Sequence, residues 1–309
     1  MAGDIYCAID IGGTKTLFCL LDRDRNIYFK RRLPTPAGKE VEVLVDTVNR
    51  GINRGLEETG LATENLTGIG ICIAALTNFQ QGIVYQAPNL GWTQPVALKD
   101  YFRKTWGCPL YIENDANAAV LGEVYYGAAR GHRHVIYITI STGIGGGLFL
   151  DGQLYRGAGG FAGEIGHTKS YGEGRTCGCG GSDCLEAWAS GRGIARSAGR
   201  RGEDGWDTAR IFARAARGDH RARELVDQAV TDIATGVANL VTFLNPSCVV
   251  LGGSVAAANP FFFERVRDFV QNKAIRTAVT VTPLEIVPSV LEPEAGIWGI
   301  YAMMIHEIG

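Results

Sequence analysis

Three cysteines fall within eight positions in TCGCGGSDCLEA (residues 176–187), with His167 upstream and Glu186 close behind. Gly, Ser and Asp surround Cys177, Cys179 and Cys184, which marks a loop rather than a core. The spacing C-x-C-x4-C is not C-x-x-C, so a thioredoxin-like redox pair is disfavoured. A metal site, a disulfide staple and free thiols remain. One imidazole and three sulfurs suit a closed, tetrahedral structural Zn²⁺ site, and Gly178, Gly180 and Gly181 would let the backbone fold round the ion. The other five cysteines, Cys7, Cys19, Cys72, Cys108 and Cys248, sit in or beside apolar runs and read as buried small hydrophobes.

Two glycine-rich turns could cradle phosphate, which needs several N–H donors aimed at one place. In DIGGTK (residues 10–15), Gly12 and Gly13 form the turn, Thr14 offers a hydroxyl and Lys15 a point charge. Asp10 could hold Mg²⁺ through water, since that ion keeps much of its hydration. STGIGGG (residues 141–147) offers donors around Thr142 and Gly143 without a cation. LGGSV (residues 251–255), with Gly253, could pack against a base or ribose. The plainer reading of each is a tight turn. Neither DIGGTK nor STGIGGG is a P-loop, and neither follows the dinucleotide fingerprint.

A third group is ENDANAA (residues 113–119), where strand-like PLYIEN gives way to helical ANAAVLGEVYYG. Asp115 lies at the C-terminal end of a strand, where α/β sheets open onto their ligands. A carboxylate there could take the proton of an attacking alcohol. Asp also favours helix N-caps, and position alone favours that second role.

The elements that must hold these groups alternate. DIYCAID, TLFCLLD and NIYFKRRL read as three strands; residues 39–59 have helical spacing; TGIGICIA is a buried strand; VALKDYFRKTW reads as a helix. VIYITI and GGLFLDG follow as strands, then a mostly helical stretch to about Leu244. The strand CVVLGG, the helix FFFERVRDFVQNK, the strand TPLEIVP and the closing helix AGIWGIYAMMIHEI complete an α/β chain. IDIGGTKTLFCLLD (residues 9–22) echoes ITISTGIGGGLFLD (residues 138–151), as two related half-domains would. With 309 residues the chain is long enough for two domains. A net charge of −2 without a basic block argues against a nucleic-acid partner. No apolar run spans a membrane and no leader is visible, so the expected location is the cytoplasm, where disulfides are uncommon.

DIGGTK, ENDANAA, STGIGGG, EIGH (residues 164–167), CGCGGSDCLEA and VVLGGS occur in the order typical of the ROK family of sugar kinases, which the chain resembles over essentially its whole length. The resemblance is strongest to bacterial glucokinases. It implies the actin-like ATPase (ribonuclease H-like) fold, with two α/β lobes around a cleft that closes on sugar and ATP. The lobes would be residues 1–118 plus 293–309 and residues 119–292. It implies zinc on His167, Cys177, Cys179 and Cys184, and Mg²⁺ with the ATP. Asp115 would be the base, and Asn89, Asn114, Glu164, His167 and Glu186 would hold the hexose. Glu113 reads as structural. Two positions depart from the family pattern: Ala75 stands where a Gly is usual near the sugar, and Asn78 where Asp is common. Glucose is the expected acceptor, with GlcNAc, ManNAc and fructose as alternatives and a homodimer or homotetramer as the assembly. A sugar-sensing repressor is the rival class; such relatives carry an N-terminal DNA-binding domain, whereas this chain begins almost at DIGGTK.

Overall fold

The computed structural model describes residues 4–170, 174–281 and 283–307. Thr282 and Ile308, parts of the expected last strand and closing helix, lie outside the described residues. The first three apolar runs form an antiparallel meander, β1 (Ile5–Ile11), β2 (Lys15–Asp22) and β3 (Ile27–Pro34). Helix α1 (Val41–Thr59) buries one stripe, Leu44, Val48, Ile52 and Leu56, at a spacing of four, and ends at Gly60 in the left-handed region (φ 68°). Strand β4 (Leu66–Ile73) then lies parallel to β1. A small hairpin, β5 (Leu76–Asn78) and β6 (Ile83–Gln86), precedes α2 (Leu98–Arg103), β7 (Leu110–Asn114) and α3 (Asp115–Tyr125).

The pattern restarts with β8 (Val135–Ile140), β9 (Ile144–Leu150) and the short β10 (Gln153–Leu154). Four helices follow: α4 (Leu185–Ala189), α5 (Gly191–Arg200), α6 (Thr208–Ala216) and α7 (His220–Leu244). Then come β11 (Cys248–Gly252), α8 (Ser254–Ala257), α9 (Pro260–Lys273), α10 (Arg276–Thr280), β12 (Glu285–Pro288) and α11 (Ala295–Ala302), which runs on as a π-helical turn over Met303–Glu307.

The two sheets repeat one topology. Their orders are β3-β2-β1-β4-β7 and β10-β9-β8-β11-β12. In each, the first strand pairs antiparallel with the second and parallel with the fourth of its set, and the outer pair is again parallel. The sequence echo of residues 9–22 and 138–151 thus falls on β1–β2 and β8–β9, equivalent hairpins of a duplicated unit.

Two compact units result. One comprises Met1–Tyr126, Arg156–Ala162 and Glu294–Gly309; the other comprises Gly127–Tyr155 and Gly163–Pro293. A boundary at 118 would cut through α3, which is one continuous helix. Within the first unit α3 crosses α11 at a pair of glycines. A Cβ on Gly299 would lie 1.6 Å from the Ala118 carbonyl oxygen, and one on Gly122 would lie 2.8 Å from that of Ala295. No helix among the described residues is long and apolar enough to cross a membrane.

Candidate active site and metal centre

In the first unit, register sets the candidate groups in a row. Asp10 on β1 pairs with Cys72 on β4, and Cys72 pairs with Glu113 on β7. The chain leaves β7 at Asn114, whose extended backbone (φ −64°, ψ 145°) makes it the cap of α3. Its Oδ1 accepts the N–H groups of Ala116 and Asn117 at 2.8 and 3.0 Å, and its Nδ2 donates to the Ala75 carbonyl at 3.1 Å. Asp115 is therefore the first helical residue and not the cap, with Oδ1 2.9 Å from the Ala116 N–H. Burial, together with the charges of Asp10 and Asp115, holds the Cys72 thiol well above its ordinary range. Asp10 and Asp115 thus both stand at the C-terminal ends of parallel strands, β1 and β7.

The turn between β1 and β2 is closed by the Gly12 N–H donating to the Lys15 carbonyl (3.1 Å), so this donor serves the turn. Thr14 and Lys15 are exposed. Asn89, exposed in the 3₁₀ turn Pro88–Leu90, lies against Gly13: a Cβ there would stand 3.0 Å from the Cβ of Asn89. Asn89, Gly13, Asn114 and Asp115 all belong to this unit.

In the second unit, the β8–β9 turn carries Thr142 and Gly143. Glu186, on the first turn of α4, grips it: Oε2 accepts the Ile144 N–H at 3.0 Å, and a Cβ on Gly143 would meet the same oxygen at 2.6 Å. Gly253 sits after β11 with φ 87°, and a Cβ there would lie 2.4 Å from the Ile140 carbonyl oxygen. Its N–H donates to Glu292 Oε1 (3.1 Å), which also accepts the Tyr137 hydroxyl (2.7 Å). The Ser141 and Ser254 hydroxyls are 2.9 Å apart, so the Gly253 turn and the β8–β9 turn adjoin.

His167, Cys177, Cys179 and Cys184 converge, with all four ligand atoms within 4.8 Å of one another. Cys177 Sγ lies 3.6 Å from His167 Nδ1, and Cys179 Sγ 3.7 Å from Cys184 Sγ. A tetrahedron with bonds of about 2.3 Å has edges of about 3.8 Å, so these separations fit one shared cation. They are too long for a disulfide, whose S–S bond is about 2.05 Å. Lys169 Nζ stands 3.6 Å from Cys184 Sγ, a cation beside the sulfur cluster. His167 turns Nδ1 to the sulfurs and Nε2 towards Glu164, whose Oε2 is 3.9 Å away. Arg175 roots the loop: its guanidinium lies 3.7 Å from the Trp188 ring centre and donates to the carbonyls of Ala187 and Gly193.

Three supporting residues, Arg156, Arg175 and Glu292, carried no signal in the sequence. Each acts through a partner distant in the chain, and neither periodicity nor motif spacing marks such a pair.

A family model of the ROK family matches residues 6–307. The chain belongs to the ROK family. ROK proteins have the actin-like ATPase fold, in agreement with the duplicated sheets. The N-acetylmannosamine kinase of Salmonella heidelberg (strain SL476) is 37% identical over 270 residues, 87% of this chain and 89% of that protein. The glucokinase of Streptomyces coelicolor is 33% identical over 276 residues, 84% of each. A solved ROK glucokinase from Streptomyces griseus, in complex with glucose and AMPPNP, is 30% identical with a TM-score of 0.79, covering 96% of this chain and 97% of that one.

Proposed function

We propose that this ROK protein transfers the γ-phosphoryl group of ATP to the 6-hydroxyl of a hexose, with glucose as acceptor. The chain is an ATP-dependent sugar kinase. The observation that carries the mechanism is that Asn114 caps α3, so that Asp115 is the first helical residue, at the end of β7 in the sheet that also carries Asp10. In phosphoryl transfer the protein positions its substrates, offsets charge and receives one proton. Asp115 receives the 6-hydroxyl proton. Asn89, Asn114, Glu164, Glu186 and the Nε2 side of His167 hold the other hydroxyls. The turns at Gly12–Lys15 and Thr142–Gly143 hold the phosphates, and Gly253 borders the base or ribose.

Asp10 would hold Mg²⁺ through water. His167, Cys177, Cys179 and Cys184 would hold zinc, which would supply a closed anchor with no open position for chemistry. Their separations and the adjoining Lys169 support this assignment. The expected assembly is a homodimer or homotetramer.

N-acetylmannosamine is a second reading, favoured by the relative at 37% identity. ATP-dependent ADP release over glucose, GlcNAc, ManNAc, mannose and fructose, compared by kcat/KM, decides between them. Glucose is expected to lead, and a lead for ManNAc would move the assignment. Asp115→Asn should fold and bind sugar while losing kcat by roughly 10²–10⁴. Near-normal turnover in that variant would remove the base assignment.

A further inference from the structure

We propose that Arg156 is a positioning residue of the phosphoryl-transfer site, acting through the buried carboxylate of Glu113; this rests on the reading of Asp115 as base. Arg156 opens the short stretch Arg156–Ala162, which belongs to the first unit although the residues on both sides belong to the second. Its Nε donates to Glu113 Oε2 at 2.7 Å. Its guanidinium lies 4.3 Å from the Phe79 ring centre, and one amino group reaches Met303 Sδ at 3.6 Å. Three different elements therefore fix the fork in place.

Glu113 is 1% exposed. Its other oxygen, Oε1, accepts the Asn114 N–H at 2.9 Å and the Asn117 Nδ2–H at 3.1 Å. The Asn114 peptide is the link between β7 and α3, and Asp115 is the next residue. The Asn114 side chain also holds the Ala75 carbonyl, at the position where the sequence departs from the family pattern. A run of contacts thus leads from Phe79 and Met303 through Arg156 and Glu113 to the backbone that aims Asp115. A buried carboxylate without its cation is strongly unfavourable, so Glu113 can stay inside and hold this peptide only while Arg156 is present. The remainder of the stretch docks beside the small hairpin. Phe161 packs edge-on against Tyr85 at 5.5 Å, and a Cβ on Gly160 would lie 2.7 Å from the Thr77 carbonyl oxygen. Misplacement by about 1 Å can cost on the order of a hundredfold in rate.

The experiment compares Arg156→Ala, Arg156→Lys, Glu113→Gln/Arg156→Ala and Asp115→Asn in the full-length protein. Near-UV circular dichroism confirms folding, and kcat and KM are measured from pH 5 to 9. Arg156→Ala should lower kcat at least tenfold with sugar KM changed less. The acid limb of its pH–rate profile should move to higher pH, because the Glu113 carboxylate, two residues from Asp115, is left without its counter-charge. Arg156→Lys keeps the charge and loses the fork, so it should lose kcat while the limb stays. The double variant removes the unpaired charge and keeps an acceptor for the Asn114 N–H, so it should regain activity over Arg156→Ala and return the limb. Normal kcat and an unmoved limb in folded Arg156→Ala, beside an inactive Asp115→Asn, would overturn the proposal alone. An active Asp115→Asn would instead overturn the base reading, and the positioning role with it.

Discussion

Glu186 shows how one side chain can join two loops. It follows Cys184 by two positions, its Oε1 lies 3.9 Å from Cys177 Sγ, and its Oε2 holds the Ile144 N–H at the tip of the β8–β9 turn. The cysteine loop and the β8–β9 turn of the second unit are therefore tied together at this carboxylate. Removing the cation should release both. We expect chelation to raise KM for ATP as well as for sugar, because both loops lose their common anchor. Acid should favour the release. Burial pushes the Cys177 thiol up to about 12, so a bound cation must keep displacing that proton, and its hold weakens as pH falls. Steady-state kinetics on chelated protein, with metal content followed by mass spectrometry across pH, tests both statements. An unchanged KM for ATP in metal-free protein would show that the Glu186 tie carries no weight.

At the scale of elements, glycine decides how closely α3 and α11 approach. Helix α11 is apolar all round, as a buried helix must be, and it lies against α3, β1 and β4. A Cβ on Gly299 would need the Ala118 carbonyl to move, because 1.6 Å is far inside contact distance and the obstacle is backbone. Overpacking of a core costs about 1–3 kcal/mol, and this backbone clash belongs at or above the upper end. Gly299→Ala should therefore lower Tm by roughly 5 °C or more. Gly107→Ala, where nothing lies within 4 Å, should leave Tm nearly unchanged. Equal Tm values for the two would refute the close crossing.

The crossing also marks what sequence could and could not reveal. Long apolar runs such as IYCAIDI and KTLFCLLD announce their strands, since buried β-structure needs continuous hydrophobicity. The repeat was legible because both hairpins keep a glycine turn between such runs. The hairpin of β5 and β6 leaves no signal in the sequence, because three and four residues give no periodicity to detect. Asn114 and Asp115 are both good caps, and only the end of β7 decides that Asn114 takes the role. The Cys/His cluster was legible because its members are close in sequence. Arg156 and Glu113, 43 positions apart, meet only in the folded chain.

At the scale of the whole molecule, chain order and structural order part company. The first unit takes residues Met1–Tyr126 and then needs Arg156–Ala162 and Glu294–Gly309, which are synthesised within and after the second. The late segments are core, not decoration. Ile297, Ile300, Met303 and Met304 are all 5% exposed or less. Burying four such side chains stabilises by about 6–12 kcal/mol as an upper estimate, at 1.5–3 kcal/mol each. That is comparable to the entire stability of a typical domain, about 5–15 kcal/mol. A fragment ending at Tyr126 would also leave Glu113 buried without Arg156. We therefore expect residues 1–126 expressed alone to lack fixed tertiary structure, with poor near-UV dichroism and no cooperative thermal transition. Joining the stretch 156–162 and the segment 294–309 to it through short flexible linkers should restore a cooperative transition. A fragment 1–126 that melts sharply by itself would show that the first sheet and its helices suffice, and that α11 adds stability without being required for the fold.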